Sequence, residues 1–99
     1  MKNGYKIHWT PNALDELAQT IEYLRNNFTE KEISKLALRI EEIVQLISQN
    51  PEIFQKSEIQ NIHCVPILKF NTMYYRVKDK RIEILSFFSN RQNLDKRHI

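Results

Sequence analysis

Residues 72–97 read TMYYRVKDKRIEILSFFSNRQNLDKR, and this stretch decides the fold of the chain. Two runs of strand-forming residues, Met73–Val77 and Ile82–Phe88, flank the polar segment Lys78–Arg81, which predicts a β-hairpin. The turn contains no glycine, so we expect a loop slightly longer than two residues. The second run is apolar on both of its faces, which predicts a central strand that is covered, at least in part, on both sides.

Positive charge is concentrated in the same third of the chain. Residues 69–99 contain eight Lys and Arg against three acids, a net charge of +5, whereas residues 1–68 contain seven against nine, a net charge of −2. A basic loop that leaves the end of a buried strand is held rigidly yet exposed, as binding groups often are. The asymmetry predicts an anionic partner at this end. The alternative is a solvated, lysine-rich rim that protects a sheet edge.

The composition favours one soluble domain over residues 1–99. The single cysteine, Cys64, cannot form an internal disulfide, and the chain starts without a secretory pattern, which together favour the cytoplasm. No apolar run reaches the length of a membrane span, so no membrane association is expected. One glycine in 99 residues excludes glycine-rich phosphate loops. The scattered histidines match no metal-site spacing, and we expect neither a metal nor another cofactor.

The first half of the chain predicts one strand and two helices. Tyr5–Trp9 alternates, with Lys6 and His8 on its polar face. Thr10 is the expected N-cap of a helix over Pro11–Asn26. A second amphipathic helix, Glu30–Gln49, is expected to begin with a capping box at Thr29 and Glu32. Because few residues join them, the two helices should form an antiparallel hairpin.

A third strand is expected at Ile62–Leu68, where Pro66 requires an edge position or a bulge. The element order is then β-α-α-β-β-β. We predict an α+β fold in which the helical hairpin packs on one face of a small, mostly antiparallel four-stranded sheet.

Pieces of sequence spread over nearly the whole chain resemble the RelE/ParE superfamily of bacterial toxins from type II toxin–antitoxin systems, and most of all its ParE-like, "plasmid stabilisation" branch. The resemblance lies in the order and spacing of Tyr5–Ile7, Thr10-Pro11, Tyr75–Val77, Ile82–Leu85 and Asn90–Asn93.

The resemblance implies a toxin with a cognate antitoxin protein as its partner. ParE-like members inhibit DNA gyrase by binding it, whereas RelE-like members cut mRNA on the ribosome. A third alternative is a non-toxic binding module of the same fold. Apolar side chains that the helical stripes leave uncovered are candidate contacts for an acidic antitoxin: Leu38, Leu46, Ile53 and Phe54.

The RelE-like mechanism requires an acid, a base and cations beside the phosphate. Arg91 matches by position the arginine that follows the last strand in that group. His63, which we expect to face solvent from its strand, and His98 are the other catalytic candidates. Arg97 occupies the place where a tyrosine is expected, and an arginine cannot exchange protons near neutral pH.

We therefore favour gyrase binding over catalysis, with ribosome-dependent mRNA cleavage as the alternative. The expected binding groups are basic residues of the C-terminal third: Arg76, Arg81, Arg91, Lys96 and Arg97.

Overall fold

A computed structural model describes residues 4–54, 56 and 61–89 of the chain. Over these residues the elements are β1 (Lys6–Trp9), α1 (Pro11–Asn27), α2 (Glu30–Gln49), β2 (Ile62–Ile67), β3 (Asn71–Lys78) and β4 (Arg81–Ser89). The predicted order is confirmed. Among these residues no helix is long and apolar enough to cross a membrane.

The strands form one mixed sheet in the order β1-β4-β3-β2. The β1–β4 pair is parallel, and the β4–β3 and β3–β2 pairs are antiparallel. Strand β4 is central, as expected. Pro66 lies in β2, which is an edge strand. Proline has no N–H to donate, and an edge strand tolerates this because it has a hydrogen-bonded neighbour on one side only.

The β3–β4 turn is shorter than expected. Lys78 pairs directly with Arg81, so only Asp79 and Lys80 form the loop. Asp79 adopts a φ of 59°, in the left-handed region. Aspartate tolerates this conformation better than most residues, so the tight turn forms without a glycine.

Strand β4 contains a β-bulge at Leu85. Tyr74 of β3 pairs with Ser86, but the next residue, Tyr75, pairs with Ile84, which leaves Leu85 as the extra residue. A bulge of this kind reverses which side chains point to each face of the strand.

The bulge corrects the prediction that β4 is apolar on both faces. Before it, Ile82 and Ile84 are buried toward the helices; after it, Phe87 takes that position. Phe88, on the other face, is 38% exposed. The strand therefore has one apolar face, which even-numbered residues form before the bulge and odd-numbered residues form after it. Its other face does not have to be covered by further structure.

The first turns of α1 hold this bulge in place. The hydroxyl of Thr10, the N-cap residue, donates to the carbonyl of Ile84 over 2.8 Å. One carboxylate oxygen of Glu16 accepts the backbone N–H of Phe87 at 2.8 Å and the hydroxyl of Ser86 at 2.7 Å. Backbone groups that the bulge removes from the ladder are thereby satisfied by α1.

The second expected cap takes a different form. Thr29 is the N-cap of α2, but its side chain makes no cap hydrogen bond. Its carbonyl accepts the N–H of Glu32 at 3.0 Å, while the carboxylate of Glu32 lies 3.8 Å from the ammonium of Lys35. The prediction of a capping box is therefore wrong, because Glu32 turns toward Lys35.

The core lies between the helical hairpin and one face of the sheet, as predicted. Helix α1 packs over β4, and α2 contacts β1 and β2. Alternation along the strands and the stripe of each helix bury one continuous set of apolar side chains: Ala13, Leu24, Leu36, Ile43, Ile47, Val65, Ile67, Met73, Tyr75, Ile82, Ile84 and Phe87.

Candidate functional site

The sheet face turned away from the helices, here called the open face, carries a row of three cations. Lys78 of β3 pairs with Arg81 of β4, which also pairs with Lys6 of β1. Directly paired residues point to the same side of a sheet, so their side chains are neighbours. We call Lys78, Arg81 and Lys6 the basic row. Three adjacent positive charges attract an anionic partner.

The next row of the open face contains an acid between two guanidinium groups. Glu83 accepts from Nε of Arg76 at 2.8 Å and from Arg81 at 3.2 Å. The hydrogen bond from Arg76, followed by the charges of Arg76, Arg81 and Lys78, holds the pKa of Glu83 below its usual range. The side chains of Arg76 and Arg81 remain 45% and 49% exposed, so an external anion can reach both.

His8 extends this second row on β1. It pairs with Glu83 on the side opposite Arg76 and is exposed. The sequence analysis placed Lys6 and His8 on a polar strand face but assigned neither to the site. The missing information was the parallel pairing of β1 with β4, because only that pairing brings residues 6 and 8 beside residues 81 and 83.

Aromatic side chains continue the open face away from the cations. Tyr74 is half-buried and pairs with Cys64 and Ser86, and Phe88 pairs with Thr72 at the far end. The face therefore combines cations at one end with exposed ring surface at the other. Surfaces that bind single-stranded nucleic acids share this combination.

His63 does not lie on the open face. Its side chain is 2% exposed, its Nδ1 is 2.9 Å from the carbonyl oxygen of Phe54, and its Nε2 is 3.9 Å from the Glu52 carboxylate. The ring stacks on Tyr75, with centroids 4.8 Å apart. The prediction that His63 faces solvent is wrong, because the alternation of β2 puts it on the helix side with Val65.

Tyr75 ties the same loop to the sheet. Its hydroxyl donates to the carbonyl of Pro51 over 2.7 Å, and its side chain is fully buried. Burial, followed by the charge of Glu52, raises the pKa of Tyr75 to about 12. Together, His63 and Tyr75 fix the segment that follows α2 against β2 and β3.

The remaining basic and catalytic candidates, Arg91, Lys96, Arg97 and His98, lie outside the described residues. Of the predicted binding set, the described part of the chain brings together the two arginines that share Glu83. Within that same part, no three His, Cys, Asp or Glu side chains group in a way that could hold a metal ion.

The predicted antitoxin contacts have different environments. Leu46 and Ile53 are exposed and line one groove of about 760 Å³, together with Arg39 and Glu42. We call this the α2 groove. Leu38, on the same helix, is 62% exposed but does not line it. Phe54 is half-buried and packs against the core.

Solved structures that share this fold include proteins of toxin–antitoxin systems. A chromosomal ParDE system from P. aeruginosa matches with a TM-score of 0.74 and 21% identity over 89% of this chain and 98% of that chain. A YoeB/ParE toxin from Agrobacterium tumefaciens matches with a TM-score of 0.62 and 15% identity over 85% and 96% of the two chains. The YoeB–YefM complex from Staphylococcus aureus matches with a TM-score of 0.57 and 21% identity over 84% of this chain and 93% of that chain.

The sequence itself matches one family. No curated protein sequence matches the chain significantly. The family model for the ParE toxin of the type II toxin–antitoxin system parDE matches residues 7–94, which includes all six elements except Lys6, the first residue of β1. The chain therefore belongs to the ParE toxin family of type II toxin–antitoxin systems.

Proposed function

We propose that this toxin inhibits DNA gyrase by binding it, without breaking a covalent bond. The observation that carries the proposal is the pair of exposed guanidinium groups, Arg76 and Arg81, held by one carboxylate on the open face of a ParE-family chain. Fixed arginines recognise carboxylates and phosphates through paired hydrogen bonds. A cytoplasmic location follows from this target.

The environment of His63 supports binding over cleavage. RNA cleavage requires groups that exchange protons beside the phosphate. His63 is buried and contacts a backbone carbonyl of its own chain. Arg76 and Arg81 stay charged at neutral pH and cannot act as acid or base. They can hold an anionic surface of the target in place.

We further propose that a cognate antitoxin covers the α2 groove. Leu46 and Ile53 provide exposed apolar surface there, and Leu38 is exposed on the same helix outside the groove. Arg39 and Glu42 of the groove pair with each other at 3.0 Å, so the groove is electrically balanced and apolar contact is the main expected attraction. An amphipathic helix laid into a groove of this kind is a common mode of peptide recognition.

Controlled expression in a bacterial host tests the target. DNA synthesis should stop and the DNA-damage response should begin, while protein synthesis continues at first. The variant Arg76→Ala plus Arg81→Ala should lose most of this effect. Arg25→Ala plus Lys31→Ala, which removes the same charge from exposed helix positions, should retain it. Immediate arrest of protein synthesis with continuing DNA synthesis would contradict the proposal.

The position of His8 favours ribosome-dependent mRNA cleavage as a second candidate function. It is an exposed histidine in register with Glu83, beside the basic row. Histidine is the side chain best suited to proton exchange near neutral pH. If this function is correct, His8→Ala abolishes cleavage of ribosome-bound mRNA. If the toxin inhibits gyrase by binding, His8→Ala leaves inhibition largely intact.

A further inference from the structure

The β2–β3 turn contains a strained leucine. Leu68 has a φ of 59°, in the left-handed region, and its side chain is 42% exposed. The other non-glycine residues with positive φ in the described part are Asn61 and Asp79, types that tolerate this backbone. Leucine does not, because its Cβ crowds the carbonyl oxygen. Strained residues that persist on a surface concentrate at binding sites.

A pocket of about 240 Å³ lies beside Leu68, between the turn and the helices. Leu24 and Leu36 are buried in its floor. Asn71 also lines it, and the side-chain Oδ1 of Asn71 is buried without a hydrogen-bond partner among the described residues. A buried acceptor without a donor is unfavourable, so Asn71 adds to the strain of this turn in the free toxin.

Two lysines stand at the rim of this pocket. Lys35 comes from α2 and Lys69 from the turn. Glu32 also lines the pocket and lies 3.8 Å from Lys35, so one positive charge remains in excess. The Nζ of Lys69 lies 6.0 Å from the ring centroid of Phe70, which keeps this cation over the turn. The rim therefore favours a carboxylate.

We propose that this turn pocket binds an extended, acidic segment of the antitoxin. An apolar side chain of the segment packs between Leu68 and the pocket floor, and a neighbouring carboxylate pairs with the lysines. The proposal rests on the antitoxin partnership proposed above and adds a second contact to it.

The two antitoxin contacts lie at opposite ends of α2. Lys35 of the turn pocket and Leu46 of the α2 groove are eleven residues apart, roughly 17 Å along the helix axis. The exposed side chain of Leu38 lies between them in sequence. One antitoxin chain that follows α2 can therefore occupy both sites.

Calorimetric titration of the purified toxin with its cognate antitoxin protein as the probe tests this. Leu68→Asn removes the apolar side chain and inserts a residue that tolerates positive φ. We expect its thermal unfolding midpoint to equal or exceed that of the wild type, while Kd for the antitoxin rises at least tenfold. Leu14→Asn, at a leucine 51% exposed on α1, is the matched control and should leave Kd unchanged.

Three results would overturn the assignment: equal antitoxin affinity for Leu68→Asn and the wild type, a lowered midpoint in Leu68→Asn, or a change in the sedimentation of the free Leu68→Asn toxin with unchanged Kd. The last would identify a self-association contact. Gyrase inhibition without antitoxin is measured separately and should be the same for both proteins. If Leu68→Asn loses antitoxin affinity and the wild-type toxin fails to inhibit gyrase, the gyrase proposal is refuted and the turn-pocket proposal stands.

Discussion

Replacement of Tyr75 by phenylalanine removes the hydroxyl that fixes the segment after α2. The Tyr75 O–H donates to the Pro51 carbonyl over 2.7 Å, and both residues are buried. A buried polar group left without its partner costs about 1–3 kcal/mol. We therefore expect Tyr75→Phe to lower the free energy of unfolding by about 2 kcal/mol at pH 7, measured by urea denaturation.

The same substitution should change how stability depends on pH. The folded-state pKa of Tyr75 is raised to about 12 from 10.0. Between these values the unfolded chain loses a proton that the folded chain retains, so stability falls as pH rises. The contribution is fully present below pH 10 and is lost as pH passes 12. Two pKa units correspond to roughly 2.7 kcal/mol.

The stability advantage of the wild type over Tyr75→Phe should therefore shrink between pH 10 and pH 12, and it should vanish or reverse at the upper end. Lysine deprotonation affects both proteins alike and cancels in the difference. Tyr74→Phe, on the opposite face of the same strand, controls for the loss of one phenol. An advantage that stays constant across this pH range would refute the reasoning, as would a normal titration of the Tyr75 phenolate absorbance.

Three further outcomes follow from the contacts. Glu16→Ala should lower the free energy of unfolding in urea by about 2 kcal/mol, because the N–H of Phe87 loses its acceptor. Glu16→Gln, which keeps an acceptor oxygen, should lower it clearly less, and an equal loss in both variants would contradict this. Since the pKa of Glu83 is lowered, the wild type should lose stability as pH falls below about 4.5, and Glu83→Gln should lack this component of acid sensitivity in a pH series. Leu46→Ser and Ile53→Ser should change stability by about 0.5 kcal/mol or less yet weaken antitoxin binding in calorimetry; unchanged binding would remove the α2 groove from the interface.

The order of elements could be predicted from the sequence because its signals are local. Thr10-Pro11 marks the start of α1, the apolar stripes mark both helices, and Pro66 marks an edge strand. The bulge at Leu85 could not be predicted, because a strand with one extra residue and a strand with two apolar faces have the same sequence pattern. The tight turn at Asp79 was missed for lack of a glycine, although aspartate tolerates the same backbone.

The candidate site could be predicted only in part. Charge alone identified Arg76 and Arg81, but the contribution of Lys6 and His8 depends on a parallel pairing between strands more than seventy residues apart in sequence. Leu68 was expected to end the third strand, but β2 ends at Ile67 and Leu68 lies in the turn; its positive φ is a property of the folded backbone that the sequence does not reveal. His63 was assigned to the wrong face because the sequence pattern of β2 is apolar on both sides around Cys64.

Supercoiling by purified gyrase, titrated with purified toxin alongside cleavage of ribosome-bound mRNA, tests the central claim most directly. If the toxin acts by binding gyrase, supercoiling stops at toxin concentrations comparable to that of gyrase, and the mRNA stays intact. Arg76→Ala plus Arg81→Ala should then weaken inhibition, while Arg25→Ala plus Lys31→Ala should not. Rapid, codon-positioned mRNA cleavage with supercoiling untouched would contradict the claim and assign the open face to catalysis.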